Sequence, residues 1–193
     1  MIKTMDTIAT RAQARARAKA APAKTTIHGE APADLTALIL APRWRLGRRA
    51  SGKRAVLATA RSLQPLARRV AVACHGAAAP ALRDSGAGEV FIVPDSESPL
   101  SALGCALDAC EDELTLVVAA GSEVPKRALD LMLASLADDA AGVAAWVRRD
   151  GEVGFPLLCR ASVRPIVAAC VYAGHASLVE LLRRPCARLI TLD

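Results

Sequence analysis

The sequence predicts an α/β fold: a three-layer, Rossmann-like, mostly parallel sheet with helices on both faces and a late antiparallel hairpin. Three observations lead there. Short continuous apolar runs such as "LTALILA" (35–41) and "LTLVVA" (114–119) suit strands buried on both faces. Strand-like and helix-like segments alternate from residue 35 almost to the end, which is the pattern of a sheet covered on both sides. Late in the chain, "GVAAWV" (142–147) and "VGFPLLC" (153–159) flank "RRDGE", a polar turn containing Asp-Gly, so these two runs pair antiparallel.

Each element follows from its local chemistry. After the strand at 35–41 a helix is expected from about Lys53 to Ala67, then a strand at 69–74 ("RVAVAC"). "APALRDSG" reads as a short helix ending at Gly86, and "EVFIV" (89–93) as a strand. Ser98 is placed to cap the helix "PLSALGCALDAC", whose first position is a proline. Pro125 opens the next helix, where Leu129, Met132, Leu133 and Leu136 recur at i, i+3, i+4 and i+7. Helical stretches cover about 160–173 and 176–184, and "ARLITL" (187–192) closes the sheet.

Residues 1–34 differ from this body. They hold few bulky apolar residues and are punctuated by Pro22, Gly29 and Pro32, so they read as a disordered basic tail ahead of a domain at 35–193. Too little apolar surface exists there to offset the entropy of ordering. Removing 1–34 is therefore expected to leave the thermal unfolding midpoint nearly unchanged; a loss of several degrees would show that the tail packs on the body.

Composition narrows the function classes. Apolar residues make up 53% of the chain and aromatics 3%, so the core must be built from Ala, Val, Leu and Ile. No apolar stretch approaches the roughly 18 residues of a membrane span. The start lacks the apolar centre of a secretory signal, and its Arg/Ala richness only loosely resembles a mitochondrial transit peptide, so cytoplasm is the expected location. The six cysteines form no C-x-x-C pair and mostly lie in apolar runs, as buried small hydrophobes rather than disulfides or zinc ligands.

Charge is unevenly placed. Of the net +6, residues 1–34 carry +3 and residues 43–54 carry +6, leaving a body of −3. The second segment holds Arg43, Arg45, Arg48, Arg49, Lys53 and Arg54 with no acid among them. A strand that empties into a basic, glycine-bearing loop ahead of a helix is a common start for a phosphate site. A nucleic-acid surface would carry stacking aromatics as well, and only Trp44 lies in the loop, so nucleic acid is disfavoured. The bland alternative is a solvated basic rim.

Nucleotide fingerprints are incomplete. Gly47, Gly52 and Lys53 satisfy G-x-x-x-x-G-K, but Arg54 stands where a P-loop needs Ser or Thr for magnesium. The strand at 114–119 runs into Ala119-Ala120 with no aspartate for a second metal contact. G-x-G-x-x-G is absent, and Cys74 beside His75 is expected to be a buried thiol and an exposed imidazole, not a nucleophile–base pair.

Read in order, "LTALILA", the basic loop, "VAVACHG", "EVFIVPDSESPLSALGCAL", "LTLVVAAGSEVPKRALDLMLASL" and the stretch from "DGEVGFPLLC" to "ELLRR" resemble the molybdenum cofactor guanylyltransferase (MobA-like) family, whose relatives include cytidylyltransferases. The resemblance spans about residues 35–192 and rests on segment order and spacing. It implies a nucleotide site at Leu40, Ala41, Arg43, Arg45, Arg48, Arg49, Lys53 and Asp95, with GTP or CTP and magnesium as cofactors if the protein is active. The family opens with L-A-G-G-x-S-x-R-M-G; here Leu40-Ala41 remain, while Pro42-Arg43 replace the glycine pair that lets the backbone approach the triphosphate. Asp95 matches the family's aspartate and Pro99-Leu100 its G-P-L-x-G, with Ser98 and Ala102 in place of the glycines. The family's C-D-x-P, whose aspartate binds magnesium, aligns with "AAGSEVP" and puts Gly121 at the aspartate, with Glu123 two residues on. The family's Q-P-L on the pterin side becomes Phe155-Pro156-Leu157.

Three readings result. The first is a degenerate guanylyltransferase-like protein with a binding or accessory role in molybdenum cofactor or molybdoenzyme maturation, its partners being molybdopterin, a nucleotide or a molybdoenzyme. The second is an active nucleotidyltransferase that places GTP or CTP on molybdopterin or another phosphorylated acceptor, with Glu123 or Asp95 holding the metal. The third is a nucleic-acid-associated protein acting through tail and loop.

Overall fold

The computed structural model describes residues 34–41, 51–94, 98–137, 141–147 and 153–191. Residues 1–33, which hold the expected tail, 42–50, which hold most of the basic loop, 95–97, 138–140, 148–152 and 192–193 lie outside the described residues. The strands are β1 (Leu35–Ala41), β2 (Arg69–Cys74), β3 (Glu89–Ile92), β4 (Leu114–Ala119), β5 (Val143–Val147), β6 (Val153–Arg160) and β7 (Ala187–Thr191). Between them run α1 (Ser51–Leu63), α2 (Ala79–Arg83), α3 (Pro99–Ala109), α4 (Lys126–Ser135), α5 (Arg164–Tyr172) and α6 (Leu178–Leu182).

All seven strands form one sheet in the order β3-β2-β1-β4-β6-β5-β7. β1 is parallel to β2 and to β4, and β2 to β3, whereas β6 runs antiparallel to both of its neighbours and β7 returns parallel to β5. The sheet is thus mostly parallel with a late antiparallel hairpin, β5–β6, as the sequence predicts.

Every residue of β1 is buried because the strand is central and covered on both faces. Its alternation divides the core in two. Leu35, Ala37, Ile39 and Ala41 pack with Val56 and Leu63 of α1, Leu82 of α2, and Leu129, Met132 and Leu136 at α4. Leu38 and Leu40 pack on the other face with Leu100, Leu103 and Leu107 of α3, Val167 and Cys170 of α5, and Leu178 and Leu181 of α6. These are the three predicted layers, filled largely by Ala, Val and Leu.

Two local expectations need correction. α1 stops at Leu63, short of Ala67, because Pro65 disfavours helical geometry in the residue before it. The chain turns instead, with Ala67 N–H donating to the Leu63 carbonyl at 3.1 Å. His75 is half-buried, not exposed, at the end of β2. The Ser98 cap is present, its hydroxyl accepting from Ser101 N–H at 3.2 Å.

Ion pairs gather at the amino-terminal edge of the parallel strands. Arg69 at the start of β2 contacts Glu89 and, at 3.2 Å, Asp112, and its guanidinium lies over the Phe91 ring. Arg164 donates to the carbonyls of Cys110 and Asp112, and Arg160 to that of Leu136 at 2.6 Å. The opposite, carboxyl-terminal edge is where the basic loop leaves β1.

Candidate functional site

β1 is the point at which the chain reverses its direction across the sheet. β2 and β3 are added on one side of it, and β4 on the other. Open α/β sheets bind ligands in the crevice outside the carboxyl ends of the strands, at such a reversal point. The basic loop departs from Ala41 on β1, and the loop 120–125 departs from Ala119 on β4. The reversed strand β6 begins at this same edge, which brings Phe155 and Pro156 beside the end of β4; the Phe155–Pro156 peptide bond is cis.

The loop after β4 is held from three directions. Ala120 N–H donates to the Leu40 carbonyl at 3.0 Å, Ser122 N–H to the Ala119 carbonyl at 3.0 Å, and Gly121 N–H to the Thr59 hydroxyl oxygen at 2.9 Å. Gly121 has φ +85, in the left-handed region that favours glycine. A Cβ there would meet Ala55 Cβ at 3.8 Å, so α1 forms the wall behind the loop. Thr59 itself is buried within α1. It was not legible as a site residue, and the only signal was a hydroxyl on an otherwise apolar helix face, which needs a partner.

Of the residues expected from the sequence, Leu40 and Ala41 are buried in β1, where they set the strand end and, through the Leu40 carbonyl, the β4 loop. Lys53 lies in the first turn of α1 and is exposed. Arg43, Arg45, Arg48, Arg49 and Asp95 lie outside the described residues. Their flanks, Ala41 and Ser51 for the arginines and Pro94 and Ser98 for Asp95, follow β1 and β3. Glu123 is exposed on the loop after β4.

Three buried cysteines, Cys74, Cys110 and Cys159, offer no reactive thiolate. Burial raises the Cys74 thiol above its ordinary pKa, and it pushes Cys110 to about 11 and Cys159 to about 12. These thiols stay protonated at neutral pH, and the thiolate is the reactive form. Among the described residues, no group of three His, Cys, Asp or Glu side chains is placed to hold a metal ion. The position after β4 offers a glycine, and its N–H is already engaged by Thr59.

Residues 45–189 match the MobA-like NTP transferase domain. The chain belongs to this family. Membership in the MobA-like family implies a nucleotide ligand. No curated protein matches the chain in sequence. Among solved structures, it is similar to Rv0371c from Mycobacterium tuberculosis H37Rv at 20% identity and a TM-score of 0.60, covering 83% of this chain and 89% of that one. The same mycobacterial protein is also known as a complex with manganese. A 4-diphosphocytidyl-2C-methyl-D-erythritol synthase from Anaerococcus prevotii is similar at 10% identity and a TM-score of 0.60, covering 82% and 87%. A 2-C-methyl-D-erythritol 4-phosphate cytidylyltransferase from Thermus thermophilus follows at 18% and 0.54, covering 81% and 88%. At these identities the likeness is one of fold. Among the described residues, no helix is long and apolar enough to cross a membrane.

Proposed function

We propose that this MobA-like domain binds a nucleoside triphosphate or the phosphorylated pterin without efficient nucleotidyl transfer, in a binding or accessory role in molybdenum cofactor or molybdoenzyme maturation. The carrying observation is Gly121. It sits at the exit of β4, beside the reversal point of the sheet, in a left-handed conformation with its N–H on Thr59. The resemblance puts the metal-binding aspartate at this position.

Nucleotidyl transfer brings an anionic phosphate nucleophile to an anionic triphosphate. A cation must offset charge on both and on the leaving pyrophosphate. The described residues do not fit a divalent ion at this place. Arg43, Arg45, Arg48, Arg49 and Lys53 supply positive charge for binding, and Asp95 orients the ligand in this reading, but arginine cannot anchor magnesium. The residues 35–193 act as the binding domain, with 1–34 as an appended tail.

Calorimetric titration with GTP, CTP and molybdopterin, each with and without magnesium, tests the proposal. At least one of the three should bind, with an affinity that magnesium changes less than tenfold. Absence of binding by all three would reduce the basic loop to a solvated rim.

The manganese complex of the mycobacterial protein of the same fold favours a second reading. In it the protein is an active transferase, and Glu123 or Asp95 has taken over the metal. Binding of GTP or CTP that requires magnesium would support this alternative.

A further inference from the structure

The strongest unassigned feature beside the crevice is the pairing of Thr59 with Gly121. Threonine in the middle of a helix is a poor choice on propensity alone, because its branched side chain loses rotamer freedom and its hydroxyl competes for backbone groups. Thr59 is nevertheless buried, 3% exposed, in the third turn of α1. Its oxygen accepts from a backbone N–H 62 residues further along the chain. Ala55, one turn earlier on the same helix face, is the nearest neighbour to the position a Gly121 side chain would occupy. A small residue and a hydroxyl, spaced i and i+4, thus form a seat for the loop after β4.

The seat joins three parts of the crevice. The loop after β4 bonds to Thr59 on one side and to the Leu40 carbonyl on the other. Leu40 belongs to β1, which precedes the basic loop, and Thr59 to α1, which follows it, so the two elements that flank the loop are bonded to the same four-residue turn, 119–122. We infer that Thr59 is a positioning residue for nucleotide binding: its hydroxyl fixes the first turn of α1, with Gly52 and Lys53, relative to the β4 exit. This inference rests on the nucleotide-binding reading for its ligand, but the seat itself is independent of any ligand.

The bond also fixes the role of the Gly121 N–H. Because it points at Thr59, it is not a donor for phosphate. Removing the acceptor frees the N–H and lets the loop and helix shift against each other.

The test compares Thr59→Val, which keeps the shape and removes the acceptor, with Thr59→Ser, which keeps the acceptor. Amide hydrogen exchange in the ligand-free protein should show Gly121 exchanging at least about tenfold faster in T59V than in wild type, and near wild type in T59S. Calorimetric titration with GTP and CTP should show T59V binding about five- to twentyfold more weakly, with T59S within about twofold of wild type. Unchanged exchange at Gly121 in T59V overturns the seat. Faster exchange with unchanged nucleotide affinity overturns the positioning role while leaving the bond. If wild type binds neither nucleotide, the nucleotide-binding reading and the positioning role both fail, and the exchange result still decides the seat.

Discussion

Gly121→Asp alone is expected to leave the protein unable to form a dinucleotide cofactor from molybdopterin and GTP or CTP. Space exists for the new side chain, whose Cβ would lie 3.8 Å from that of Ala55. The backbone, however, sits at φ +85, which disfavours any residue with a Cβ by about 1–2 kcal/mol, less for aspartate than for most. More decisively, a carboxylate restores only half of a unit. Pro42-Arg43 still stand where the resemblance has a glycine pair, and proline removes an N–H that could face the triphosphate. Metal and cradle act together, so their effects should not add. Combining Gly121→Asp with Pro42→Gly and Arg43→Gly is expected to recover trace turnover, on the order of a thousandth of a typical kcat of about 10 per second. Product formation measured by chromatography checks the series; full activity from the single substitution would show that the cradle is intact as it stands.

The second large effect is on binding. Replacing Arg43, Arg45, Arg48 and Arg49 together with alanine should weaken phosphorylated ligands by about 10²–10³-fold, since charge-assisted contacts contribute roughly 1 kcal/mol or more each. The thermal midpoint should hardly move, because the strands and helices on either side of the loop pack into the two core clusters with one another. Calorimetry on the quadruple variant reads the first quantity and thermal unfolding the second. Equal affinity in variant and wild type would make the loop a solvated surface.

The fold was readable from the chain because its central strands are unambiguous. β1, β2 and β4 are largely apolar runs of six or seven residues, and their ends agree with expectation to the residue. Local chemistry also announced the Ser98 cap and the apolar stripe of α4. Periodicity contains no information on strand order, so the placing of β6 between β4 and β5, and of β7 at the edge beyond β5, came only from the structure. The apolar pattern of α1 continues through Leu66 and Ala67 and predicts a longer helix, whereas Pro65 ends it at Leu63.

The site was legible to a lesser degree. Charge asymmetry singled out the basic loop, and segment order identified the family whose domain matches residues 45–189. Gly121 could be singled out by alignment, but neither its left-handed backbone nor its bond to Thr59 could be foreseen. The two partners are far apart in sequence, and a threonine inside a helix carries no mark of a distant acceptor role. The placing of Phe155 and Pro156 at the crevice likewise depends on the reversed direction of β6.

Nucleotide binding at this crevice is expected to persist without efficient transfer. The most direct measurement is magnesium-dependent formation of dinucleotide cofactor and pyrophosphate by the wild-type protein, supplied with molybdopterin and GTP or CTP at concentrations shown by calorimetry to saturate it. Saturation of the site with little or no product is the expected result. Robust magnesium-dependent turnover would contradict the claim, and Glu123→Ala and Asp95→Ala would then identify which carboxylate holds the metal.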